Sequence, residues 1–140
     1  MRITKLLPLA LVCLVGCGGP SLVGKWSVSA DKAPPGAKLT MDFTSSGYTQ
    51  TAEFDQMGMK IHVDTLGTYT FDGKKLKMTV TDMKFDDSQI PAQYKEIAKS
   101  QFATQATAAK GKTEEIDVTL DGDKATFSQK SGTATLTRIK

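Results

Sequence analysis

Few residues in this chain are suited to chemistry: one histidine, His62, and six methionines. Met57-Gly58-Met59 lies close to His62, and Met41, Met78 and Met83 are spread elsewhere. Thioethers with an imidazole suit Cu(I). The alternation around them argues otherwise, because Met59, Ile61 and Val63 fall on one face of an extended segment while His62 falls on the other. Methionine is also a common filler of irregular cores. His62 reads as a solvated histidine with no evident partner, since general acid–base work needs a second group within hydrogen-bond reach. No Gly-x-Ser-x-Gly elbow is present. Asp72, Asp121 and Asp123 sit in turn-like contexts where local hydrogen bonding accounts for them. Asp121-Gly122-Asp123 lacks the ligand ladder of a calcium loop. The expectation is a protein that is not an enzyme, with no catalytic residue, no metal site and no cofactor.

The N-terminus carries a different kind of chemistry. Met1–Lys5 contains Arg2 and Lys5, and Leu6–Gly16 is apolar apart from Pro8, the pattern of a secretory signal. It is shorter than the roughly 20 apolar residues a bilayer span needs. Leu14-Val15-Gly16-Cys17 resembles the lipobox of bacterial lipoproteins, which implies a diacylglyceryl group on the Cys17 sulfur and cleavage just before it. Residues 1–16 are then a signal peptide, residues 17–21 a short tether, and residues 22–140 the folded domain. Gly18, where aspartate is absent, resembles lipoproteins sent to an outer membrane. Cys13 leaves with the signal and Cys17 is lipidated, so no free thiol, disulfide or thiolate metal site is expected.

The formal net charge is +3, and Arg2 and Lys5 belong to the leader, so the remaining chain carries about +1. A nucleic-acid partner is not expected, because it requires a concentrated basic face. The tether Cys-Gly-Gly-Pro-Ser reaches less than roughly 20 Å, which keeps the domain near the membrane surface.

The domain itself reads as β-structure. Runs with period-two alternation occur at residues 23–29, 38–44, 48–55, 59–65, 67–71, 75–82, 114–120, 124–129 and 133–139. Ser45-Ser46-Gly47, Asp72-Gly73-Lys74, Asp121-Gly122-Asp123 and Ser131-Gly132 supply hairpin turns between them. Leu39, Met41 and Phe43 oppose Lys38, Thr40 and Asp42, and Leu76, Met78 and Val80 oppose Lys75, Lys77, Thr79 and Thr81. So many strands in a meander are expected to close, giving an antiparallel up-and-down barrel of about 8–9 strands. Residues 90–109 break the pattern: Pro91 opens and Gly111 follows a helix with the apolar stripe Ile90, Tyr94, Ile97, Ala98 and Phe102. Helical stripes are usually core, so this helix is expected to plug or flank the barrel.

Gly24-Lys25-Trp26 is similar to the G-x-W signature of the lipocalins and wider calycins, whose tryptophan closes one barrel end under an arginine from the last strand. The resemblance extends through Leu39-Thr40-Met41-Asp42-Phe43 and through residues 67–76, and it implies a lipocalin-like barrel closed by Gly24, Trp26 and Arg138. Two features depart from the family: the chain is short, and its helix precedes the last three runs. Two functional classes follow. Met41, Phe43, Phe54, Met59 and Met78 are candidates to line a pocket for a small apolar ligand. A solid core of the same residues would instead leave a protein-interaction or inhibitor module, using an outer face such as Lys75, Lys77, Thr79 and Thr81.

Overall fold

The computed structural model describes residues 20–140, so the leader and Cys17 lie outside the described residues. Eight strands run in chain order: β1 (Gly24–Ala30), β2 (Lys38–Phe43), β3 (Tyr48–Gln56), β4 (Met59–Phe71), β5 (Lys75–Asp86), β6 (Thr113–Asp121), β7 (Lys124–Gln129) and β8 (Gly132–Arg138). One helix, α1 (Ala92–Ala109), joins β5 to β6. Each strand pairs antiparallel with the next, and β1 pairs with β8, so the sheet is a closed up-and-down barrel. The expected fold class is the one observed.

The nine expected runs become eight strands because residues 59–65 and 67–71 are one strand. At Leu66/Gly67 the pairing with β5 shifts, since Leu66 faces Asp82 while Gly67 faces Val80. Thr81 is the extra residue of this bulge, and its hydroxyl donates to the Leu66 carbonyl at 3.2 Å. The phase changes on β5, which carries the extra residue, whereas β4 keeps one alternation from Met59, Ile61 and Val63 through Thr65 to Tyr69 and Phe71, so its two runs are continuous.

The bulge marks the level at which the barrel ends. β6 pairs only with Lys75–Thr79 of β5, so the far halves of β3, β4 and β5 rise past the rim as a ribbon. The ribbon turns at Met57-Gly58, where both residues have positive φ, 55° and 76°. That is the signature of a type I′ hairpin.

Alternation fills the barrel. Trp26, Phe43, Leu76 and Leu136 are essentially inaccessible, and Met41, Tyr48, Met78, Ile116, Val118, Ala125 and Phe127 join them in one buried cluster. Phe43 is its hub, edge-on to Tyr69 at 5.1 Å and to Phe127 at 6.4 Å. Such aromatic pairs add about 0.5–1.5 kcal/mol beyond their buried area.

Helix α1 begins two residues later than expected, with Pro91 as the cap residue. Pro91 has φ −55° and ψ 141°, so it stands just outside the first turn. The helix flanks the barrel rather than plugging it, and its element contacts are with β5. Ile90 is buried and Phe102 stacks on Phe85 at 4.9 Å, but Tyr94 and Ile97 are 46% and 60% exposed. The stripe is only half used. No helix among the described residues is long and apolar enough to cross a membrane.

Candidate functional site

The two ends of the barrel differ, and the difference starts with the residues that precede β1. Leu22 is 1% exposed, seated in the core cluster at the end where β1 begins. The Trp26 indole N–H donates to the Leu22 carbonyl at 2.8 Å. Arg138, directly opposite Trp26 in the β1–β8 pairing, lays its guanidinium 4.1 Å over the indole. Its Nη1 donates to the Val23 carbonyl at 2.7 Å, and its Nε lies 3.4 Å from Asp123. Gly24 has φ +128°, and a Cβ there would meet Arg138 Nη1 at 2.7 Å, so both backbone and space call for glycine. The structure therefore gathers Gly24, Trp26 and Arg138 at one closed end, laced to residues 21–23.

The opposite end is open. There a cavity of about 460 Å³ has an apolar floor from Met41, Met78, Ile116 and Phe127. Above the floor, inward-facing positions turn polar: Tyr48 and Gln50 on β3, Thr65 on β4, Glu114 on β6 and Gln129 on β7. Asp31, Lys32 and Lys112 form the rim. Tyr48 is 5% exposed, yet its hydroxyl bonds to no other described residue. Among the described residues no fully enclosed polar side-chain atom is left unsatisfied, so this hydroxyl keeps some accessible surface, and Tyr48 is one of the residues that line the cavity. Burial and then the Glu114 charge push its pKa up. Gly67 makes room for the ring, because a Cβ there would collide with the Thr79 carbonyl and meet the Tyr48 ring at 2.6 Å.

The five candidate pocket residues do not share one cavity. Met41, Phe43 and Met78 lie in the barrel, with Phe43 below the cavity floor. Phe54 and Met59 line a separate cleft of about 560 Å³ between α1 and the ribbon, with Ile61, Val63, Phe85 and Phe102. Their alternation is right, but the ribbon carries them beyond the rim. The polar band is absent from the sequence expectation, although a signal for it exists: Glu114 is two residues before Ile116 and four before Val118, hence on their face.

His62 faces outward, as expected, but it has partners. Its Nδ1 is 3.2 Å from Glu53 and its Nε2 is 3.3 Å from Asp64. Glu53 is its cross-strand neighbour on β3, which only the register reveals. Partial burial works against protonation, but hydrogen bonds to Asp64 and Glu53 outweigh it and raise the imidazole pKa. Met57 stands 89% exposed in the hairpin turn, while Met59 faces the cleft. The outer face of β5 is self-satisfied: Lys75 pairs with Asp117 and Glu115, Lys77 with Glu115, and the Thr79 and Thr113 hydroxyls meet at 2.8 Å.

No protein-family model and no curated protein matches this chain. Among solved structures it is similar to an uncharacterized protein from Bacteroides eggerthii DSM 20697, at 13% identity, with 85% of this chain and 100% of that one covered and a TM-score of 0.49.

Proposed function

We propose that this chain is a bacterial envelope lipoprotein, held by lipidated Cys17, whose lipocalin-like barrel binds a small, largely apolar ligand at its open end. The observation that carries the reading is the cavity of about 460 Å³, floored by Met41, Met78, Ile116 and Phe127 and rimmed by Asp31, Lys32 and Lys112. Sites for small molecules are concave, mainly apolar and equipped with a few fixed polar groups. The lipobox-like Leu14-Val15-Gly16-Cys17 supports the anchor, and residues 21–23 fastened to the closed end support a mouth directed away from the membrane. Several acyl chains at about 0.8 kcal/mol per buried CH₂ would give durable attachment, here to an outer membrane where one exists.

Native mass spectrometry of the protein, extracted gently from its envelope, tests the ligand. A reproducible small-molecule adduct supports the proposal, and its loss on Met78→Trp, which fills the floor, ties it to the cavity. Consistent absence of an adduct contradicts it. Cys17→Ser tests the anchor separately, with release from the membrane or failed processing expected. A second reading, a protein-interaction module, is favoured by the apolar side chains exposed around the cleft, Met57, Tyr94 and Ile97. A stoichiometric protein partner lost on Ile97→Asp would select it.

A further inference from the structure

We infer that the barrel cavity selects an organic cation, its ammonium group received by Glu114 and the Tyr48 oxygen while its apolar body rests on the methionine-rich floor. This inference rests on the ligand-binding reading above and specifies its ligand class.

Charge placement carries the argument. Glu114 is the one ionisable residue in the inward-facing polar band besides the neutral phenol of Tyr48, set opposite Met78 in the β5–β6 pairing. Neighbouring Glu115, on the outer face, is neutralised by Lys75 and Lys77, and Asp117 by Lys75. Glu114 has no ion pair among the described residues; its partner is the Gln129 amide, which donates to it at 3.4 Å. Glu114 is exposed, so solvent screens it in part, but a carboxylate that lines a cavity without an ion pair still favours a cation that brings one.

The surrounding groups suit the same class. An ammonium group offers three donors and no acceptor. Beside Glu114 the band provides the Tyr48 phenol oxygen, which keeps some accessible surface and bonds to no other described residue, and the carbonyl of Gln50. The Tyr48 and Phe127 rings also line the space, and aromatic faces attract cations. A carboxylate ligand would meet Glu114 as a like charge. Lys32, Lys112 and Asp31 also line the cavity and, like Glu114, are exposed and screened by solvent; they stand outside the strands, whereas Glu114 lies on β6 opposite Met78 of the floor.

Calorimetric titration of the full-length protein with phenylbutylamine, phenylbutanol and phenylbutyrate separates the claims. The amine is expected to bind at least about tenfold more tightly than the other two, the scale of one charge-assisted hydrogen bond. Glu114→Gln should abolish that margin and leave the alcohol unchanged. Equal affinities, a preference for the carboxylate, or a margin that survives Glu114→Gln would overturn the cation inference while leaving an apolar cavity in place. Failure of all three probes would remove the ligand-binding reading itself. If Glu114→Gln does not fold, ionic strength applied to the unmodified protein decides the same point: the amine's advantage should shrink with added salt, and an unchanged advantage overturns the inference.

Discussion

At the scale of single residues, Gly67 shows how a small side chain shapes the site. Tyr48 lies across it in the β3–β4 pairing, and the Thr79 carbonyl closes the remaining space. Gly67→Ala must therefore move backbone or displace the ring, and overpacking of this kind costs about 1–3 kcal/mol. A lowered urea midpoint with an unchanged slope is the expected readout; a midpoint equal to the parent's would contradict the packing. His62 gives a second residue-level prediction. Its folded-state pKa is raised above the ordinary 6.5, so its stabilisation is present below that value and is lost as pH rises through the folded pKa. Asp72 behaves in the opposite sense. The amides of Lys75 and Lys74 donate to its carboxylate and hold its pKa below the usual value, so its contribution is lost as the solution becomes acid. Thermal midpoints should fall on both sides of a mildly acid plateau, and His62→Gln should flatten the alkaline limb only. A limb unchanged by that substitution would show that His62 contributes nothing.

At the scale of elements, the legible and the illegible parts of the chain separate on physical grounds. Strands with one dry face announce themselves by alternation, so β2, β4, β5 and β6 can be read from Leu39-Met41-Phe43, Met59-Ile61-Val63, Leu76-Met78-Val80 and Ile116-Val118-Leu120. The G-x-W resemblance points to Trp26 and Arg138, which the β1–β8 pairing sets opposite each other. Strand ends and register are not legible, and these decide which inward residues meet. Phe54 and Met59 alternate like core residues, yet they stand above the rim on a ribbon whose height depends on the bulge at Thr81 and the late start of β6. Glu114 and Gln50 fall inside the expected runs 114–120 and 48–55, but a polar residue in such a run does not by itself announce that it points into a cavity. The pairing of His62 with Glu53 likewise requires the β3–β4 register. Helix α1 follows from the same geometry, lying against the ribbon with a half-empty cleft beneath it. Amide hydrogen exchange should therefore find α1 opening well before β1, β7 and β8, which are paired on both sides. Phe102→Ala, which removes the stacked ring from Phe85, should speed exchange in α1 more than in those strands. Uniform exchange across the helix and the barrel would contradict this hierarchy.

At the scale of the whole molecule, the barrel is solid at one end and hollow at the other. Leu22, Trp26 and Arg138 seal the end at which the chain enters, and the ring of Met41, Met78, Ile116 and Phe127 stops short of the rim. One closed sheet thus provides both a fixed base and an open mouth, the arrangement on which the proposed small-molecule site rests. The methionines report on each region separately: Met41 and Met78 in the cavity, Met59 in the cleft, Met57 in the exposed hairpin turn. The most direct measurement is methyl NMR of the methionine-labelled full-length protein during titration with phenylbutanol. Saturable shifts of the Met41 and Met78 methyls, with Met57 unmoved, are predicted. Shifts confined to Met59, or no saturable shift at Met41 and Met78, would contradict a ligand cavity in the barrel mouth.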